Sequence, residues 1–178
     1  THLKWQIETA LREILTMQDI SAILVTHDRD EAFRIAQEIA TVDRGQLTPP
    51  MDKHELFRNP GTRAATTLTG CKNISAAHRV DETHVAATDW GITLRVANAA
   101  TDVRHIAVRA HYLVLATEND VDALTARIAE VIESTFTYIV MLRFADGAMP
   151  IRWEIDKATW HAHEAGIGDT WYFNFPIE

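Results

Sequence analysis

The chain has 178 residues, 47% of them hydrophobic and 24% charged, with a formal net charge of −8. That is the composition of an ordinary globular protein with enough apolar material for a core, so intrinsic disorder is excluded, and one domain or two small ones fit the length. The acidic balance argues against non-specific binding to nucleic acid or anionic lipid, which needs a basic surface. A single cysteine, Cys71, rules out an internal disulfide and a cysteine-based zinc cluster, and is expected to be a buried structural thiol in a reducing compartment. No apolar run approaches the roughly 20 residues that span a bilayer, and no secretory signal opens the sequence.

Thr1 leads directly into a helical pattern without an initiator Met, so the sequence is expected to be part of a longer chain. Leu3, Ile7, Leu11 and Ile14 recur at three- and four-residue spacing, widened by Ala10 and Leu15, and predict an amphipathic helix. Residues 20–25, Ile-Ser-Ala-Ile-Leu-Val, are short, apolar and β-branched, which predicts a strand covered on both faces in a parallel sheet. Thr26-His27-Asp28 stands at the end of that run. A second helix is expected from about Asp30 to Ala40, with Ala32, Ile35, Ala36 and Ile39 inward. Residues 41–47 read as a short strand and turn. Pro49-Pro50 breaks the pattern. Asp52-Lys53-His54-Glu55 has capping-box spacing and opens a short helix through Phe57, which Asn59-Pro60-Gly61 ends. This order is that of the tail of an α/β domain.

Beyond Gly70 short strands are predicted at 84–88, 92–96, 105–109, 138–144, 151–155 and 171–175. Residues 124–132 fit either a strand or a helix. Turn signals at Asp89-Trp90-Gly91, Asp146-Gly147 and Gly166-Ile167-Gly168-Asp169 punctuate them, the pattern of a small barrel or sandwich. The expected organisation is residues 1–62 as one α/β unit, 63–70 as a linker and 71–178 as a β-rich unit.

A polar triplet at the C-terminal end of a buried strand is where α/β sheets place ligand-binding groups. A His beside an Asp is also a common surface or structural pair, so the triplet gains weight only from its surroundings. Residues 23–28, Ile-Leu-Val-Thr-His-Asp, followed by Glu31-Ala32, Asp43-Arg44-Gly45-Gln46-Leu47, Glu55-Leu56-Phe57 and Pro60, resemble the end of ABC transporter nucleotide-binding domains, from the switch histidine to the end of the ATPase core. The resemblance covers about residues 1–60. It departs from the family at Thr48-Pro49-Pro50, where importer relatives more often carry a Gly-containing turn.

The resemblance implies that His27 hydrogen-bonds the γ-phosphate and helps to fix the attacking water, a task suited to an imidazole donor. Asp28 either orients the loop or caps the following helix. The family also uses a G-x-x-x-x-G-K-[ST] phosphate loop, a signature motif and an apolar strand ending in Asp-Glu, none of which occurs in this sequence. ATP and Mg²⁺ are therefore expected as ligands of a full-length protein, and no cofactor binding or catalysis is expected of these residues alone.

Residues from about 70 to 178 resemble the β-rich appendix of molybdate-, sulfate-, sugar- and polyamine-type importers, a TOBE domain with an OB-like barrel fold. The resemblance rests on residues 69–74, 106–111 and Gly168-Asp169 with a final aromatic strand. Some members bind molybdate or tungstate there, and a tetrahedral dianion needs several donors. Lys72, Asn73, Ser75, Ser134, Thr135 and Thr137 are candidates, although such residues also cluster in turns for backbone reasons. His161 and His163 lack a third ligand and predict no metal site. The aromatic residues can serve either as base-stacking platforms or as core, and the acidic balance favours core and no nucleic acid. Residues 140–144 and 172–175 are candidate edge strands for a homodimer.

Three functions are compatible with these residues. The first is the C-terminal portion of an importer's ATP-hydrolysing subunit, cytoplasmic and peripheral on the membrane's inner face, paired with a second copy and with transmembrane permease subunits. Its expected cargo is molybdate or a related oxyanion, with sulfate, sugar, polyamine or iron as alternatives. The second is an oxyanion-binding regulatory module, and the third a dimerisation appendix without a small-molecule ligand.

Overall fold

In the computed structural model, which describes residues 2–18, 20–163 and 165–177, the chain consists of small antiparallel sheets with few helices, divided into two compact units at Gly70/Cys71.

The first unit opens with α1 (His2–Met17). Its predicted apolar stripe faces outward: Leu3, Ile7 and Ile14 are more than half exposed, while Glu8 is buried. The buried Glu8 receives a bidentate pair from Arg34, with Nε at 2.7 Å and Nη2 at 3.0 Å, so ion pairing rather than apolar contact joins this helix to the next. Residues 20–25 form no strand, a correction to the sequence reading. They have no backbone ladder among the described residues, and Ile23 and Val25 are more than 90% exposed. An apolar run becomes a strand only where a neighbour accepts its hydrogen bonds, and the described residues offer none.

The second helix, α2 (Arg29–Ile35), stops five residues earlier than the periodicity predicts. Ala36 is extended, and the chain turns into β1 (Glu38–Ile39). β2 (Val42–Asp43) and β3 (Gln46–Leu47) make a two-residue hairpin, with Arg44 at φ 48° and Gly45 at φ 79°, the signs of a type I′ turn. β4 (Met51–Asp52) returns to pair with β1, Ile39 opposite Met51, and this pairing is what removes 38–39 from the helix. α3 (Lys53–Arg58) begins where the capping box predicts: Asp52 Oδ1 accepts from the backbone N–H groups of His54 and Glu55. Phe33 packs edge-on against Phe57, and the Lys53 ammonium lies 5.2 Å from the Phe33 ring centre. Residues 63–70, read as a linker, are helical in α4 (Arg63–Leu68), which Thr62 caps through the Ala65 N–H and whose Ala65 is buried.

The second unit holds nine strands. A four-stranded sheet has the order β7-β6-β5-β8, from β5 (Asn73–Arg79), β6 (His84–Ala87), β7 (Ile92–Arg95) and β8 (His105–Val108). A five-stranded sheet has the order β12-β11-β10-β13-β9, from β9 (Val114–Ala116), β10 (Leu124–Glu133), β11 (Thr137–Arg143), β12 (Ile151–Asp156) and β13 (Thr170–Asn174). The ambiguous segment 124–132 is strand, with a bulge between Ile128 and Glu130. α5 (Lys157–Ala162) follows β12 and is capped by Asp156, a helix the periodicity missed. Alternation along the strands puts Ile128, Val140, Leu142, Ile151 and Phe173 in a core with no measurable exposure, joined by Ala87, Trp90, Leu94 and Val108 of the smaller sheet. Trp153 and Trp160 complete it, the aromatic core that the acidic composition favours.

The strands expected as a small barrel or sandwich are hydrogen-bonded into two sheets, one of four strands and one of five. Contacts between them gather at the outer edge of β12. There Asn73, 4% exposed, substitutes its side chain for a strand: its Nδ2 donates to Arg152 O at 2.7 Å, and its Oδ1 accepts from Arg152 N–H at 2.8 Å. Two residues on, the Glu154 N–H donates to Ala110 O. β5 itself bends, with 73–76 pairing to β8 and 77–79 to β6. At that bend the Ser75 hydroxyl donates to Ala76 O and accepts from Asp89 N–H, while Asp89 Oδ2 accepts from Ala76 N–H. Cys71 is buried beside this corner, its thiol donating to Asn73 O and Val108 O, and burial raises its pKa.

Candidate functional site: the His27 turn

The turn that carries His27 is held from both sides. Thr26 Oγ1 donates to Glu31 Oε2 and accepts from the Asp28 N–H at 3.0 Å. Asp28 Oδ1 accepts from the N–H groups of Asp30 and Glu31, both at 3.0 Å, and so caps α2. Its Oδ2 accepts from Lys4 Nζ at 2.6 Å. The Lys4 ammonium, followed by the Glu31 N–H, holds the Asp28 carboxyl at a pKa of about 2.

These contacts leave one side chain of the triplet unused. His27 is exposed and has no hydrogen-bond or ionic partner among the described residues. Its backbone is fixed by its neighbours' side chains while its imidazole faces outward, available to a phosphate oxygen or any other acceptor. Asp28, with both carboxylate oxygens engaged, shapes the turn.

The six candidate oxyanion residues fall into two separate places. Lys72, Asn73 and Ser75 stand at the start of β5; Ser134, Thr135 and Thr137 form the β10–β11 hairpin, where the Ser134 N–H donates to Thr137 O. Asn73 meets β12 at Arg152, whereas Thr137 pairs with Asp156, four residues along the same strand, about 13 Å away. Asn73 and Ser75 also spend their polar atoms on the main chain, and of the first group only Lys72 is exposed and without a partner among the described residues. The structure does not assemble these six into one site. The periodicity could not show this, since β5 itself was absent from the predicted strands. His163 Nδ1 pairs with Thr159 O and the His161 ring meets Tyr138 edge-on, each a local contact. No helix of the described residues is long and apolar enough to cross a membrane.

No family model matches the chain. Curated relatives do, and they share one class: the chain resembles the ATP-binding subunits of ABC importers. It is 32% identical over 81 residues to the Fe(3+) ions import ATP-binding protein FbpC of Haemophilus influenzae (strain 86-028NP), a match covering 46% of this chain and 23% of that protein. It is 22% identical over 167 residues to the sulfate/thiosulfate import ATP-binding protein CysA of Mannheimia succiniciproducens, covering 91% of this chain and 46% of the relative. The putrescine transport ATP-binding protein PotG of Escherichia coli (strain K12) is 24% identical over 180 residues, covering 95% and 47%. The chain thus spans less than half the length of these relatives. Among solved structures, the cytoplasmic molybdate-binding protein ModG with molybdate bound is 14% identical, with a TM-score of 0.47, covering 61% of this chain and 93% of that one.

Proposed function

We propose that this chain forms the C-terminal portion of the ATP-hydrolysing subunit of an ABC importer, an α/β tail of the ATPase core followed by a TOBE-like β domain. His27 is the residue that touches the γ-phosphate. The observation that carries this reading is the His27 turn: four hydrogen bonds and an ion pair fix its backbone and cap, and the imidazole is left exposed with no partner among the described residues. Preorganised donors of that kind stabilise charge as it moves in phosphoryl transfer. Mg²⁺, when bound with ATP, neutralises phosphate charge. Asp28 does not fit as its ligand, because Lys4 and two amides occupy its carboxylate, so Asp28 positions the turn. The bare stripe of α1 and the unpaired run 20–25 are surfaces of the kind that the rest of an ATPase core covers.

Under this reading the subunit works as a pair, on the cytoplasmic face of the membrane, with permease subunits as partners. The cargo we propose is an oxyanion of the molybdate–sulfate class, supported by the sulfate/thiosulfate relative that spans 91% of the chain. The putrescine relative, spanning 95%, supports a polyamine as the second reading. The test is His27→Ala in the full-length subunit. Turnover falls about 10²-fold or more while nucleotide affinity is retained. Near-normal turnover would make His27 a surface residue and remove the observation on which the proposal stands.

A further inference from the structure

The Thr26 hydroxyl stands where a helix cap does not need it. Asp28 caps α2, and Glu31 is the third residue of that helix. In an ordinary capping box the carboxylate at this position reaches back to the N–H of the cap residue itself. Here the Asp28 N–H is taken by Thr26 Oγ1 at 3.0 Å, and the Thr26 hydroxyl donates in turn to Glu31 Oε2. A hydroxyl from two residues upstream is thus interposed between the two halves of the box, in a half-buried setting. It adds nothing that α2 lacks. Asp28 Oδ1 accepts from the Asp30 and Glu31 N–H groups with or without it, and Glu31 at that spacing can take the Asp28 N–H directly.

What the hydroxyl adds is a closed ring of bonds around residue 27. The bond from the Asp28 N–H to Thr26 Oγ1 bridges the residues on either side of His27 and fixes the backbone between them. The β-branched Thr26 has few rotamers, and Glu31 holds the one that serves: with the hydroxyl proton committed to the carboxylate, a lone pair is left facing the Asp28 N–H. Lys4 Nζ holds the far side of the turn through Asp28 Oδ2. Within this ring only the His27 imidazole has no partner among the described residues.

We propose that Thr26 and Glu31 are positioning residues that aim the His27 imidazole, Thr26 by locking the backbone of residue 27 and Glu31 by holding the Thr26 hydroxyl. The inference rests on the reading of His27 as the γ-phosphate contact and names the residues that set its direction. A donor that must still be aimed when charge moves loses the benefit of preorganisation, and a displacement of about 1 Å costs up to about 10²-fold. The assignment also separates function from helix stability. Without the hydroxyl, Glu31 closes the ordinary box on the Asp28 N–H, so α2 keeps its cap while His27 loses its lock.

The test has two arms, built on Thr26→Val, which keeps the shape and removes the hydroxyl. In this chain, ¹⁵N relaxation is expected to show the order parameter of the His27 amide falling from about 0.85 to below about 0.6, with the α2 amides unchanged and Thr26→Ser as rigid as the unaltered chain. In the full-length subunit, Thr26→Val and Glu31→Ala should each lower kcat about tenfold and leave KM for ATP within about twofold. Thr26→Ser and Glu31→Gln, which keep the donor and the acceptor, should recover most of that loss. Thr26→Val should cost nothing further in a His27→Ala background, because it acts through His27. A His27 amide as rigid in Thr26→Val as before, loss of α2 together with the lock, or the same fractional loss of turnover with and without His27 would each overturn the assignment. Full turnover in His27→Ala alone strikes the importer reading instead, and the relaxation arm then decides whether the lock exists.

Discussion

Replacing Asn73 with alanine isolates the contact that stands where a barrel seam would be. Asn73 is 4% exposed, and both ends of its amide are matched to the Arg152 backbone at 2.7 and 2.8 Å. Each bond contributes about 1 kcal/mol net, and a backbone group left buried and unpaired costs about 1–3 kcal/mol. Arg152 lies on an outer strand, where water reaches part of the freed edge, so we take about 2–4 kcal/mol for the two together. For a unit of this size each kcal/mol lowers the midpoint by about 4 °C, giving a drop of about 8–16 °C. Thermal unfolding followed by circular dichroism and by tryptophan fluorescence measures it. Asn73→Leu keeps the volume without the hydrogen bonds and should be equally damaging. A fall below about 3 °C in the alanine variant, or recovery in the leucine variant, would show that Asn73 fills space rather than substituting for a strand.

Three further outcomes follow from the geometry. Gly91 has φ 66°, and an added Cβ would lie 2.9 Å from the Ala145 Cβ, so Gly91→Ala should cost about 1–3 kcal/mol in chemical denaturation; an unchanged midpoint would contradict the turn geometry. The Asp28 carboxyl has a folded pKa of about 2 against an ordinary 3.8, a depressed value, so its contribution to the α2 cap is present above about 3.8 and lost as pH falls through about 2. NMR titration should place its midpoint near 2 and move it upward in Lys4→Ala; a midpoint near 4 would mean that the Lys4 contact is not formed in solution. Amides of residues 20–25 should exchange with solvent rapidly in a dilute monomeric sample, and slow exchange there would show a ladder that the structure lacks.

Local chemistry made several elements legible in advance. The Asp52 cap and the end at Asn59-Pro60-Gly61 are decided within a few residues, and α3 forms where those residues place it. The strands at 84–87, 92–95, 105–108, 137–143 and 151–156 are short alternating or apolar, β-branched runs that can be read directly. For Asp28 the residues left two roles open, orienting the loop or capping the helix, and its carboxylate does cap α2.

What only the tertiary structure decided are the features whose cause lies far along the chain. Residues 38–39 leave their helix because 51–52 offer a pairing edge, and 20–25 remain unpaired because no edge is offered to them. The stripe of α1 predicts burial from spacing alone, yet burial needs a partner surface, and Arg34 selects the opposite face by pairing with Glu8. Segment 124–133 has apolar spacing compatible with either period and becomes strand because β11 and β13 flank it. Asn73 and Ser75 looked like ligand donors because a donor's identity is visible in sequence, whereas its commitment to a main chain 79 residues away, or to a turn 14 residues on, is not. Residue type and near-neighbour spacing determine caps, turns and alternation. Which polar groups stay free to bind anything is settled only when the backbone has taken the partners it needs.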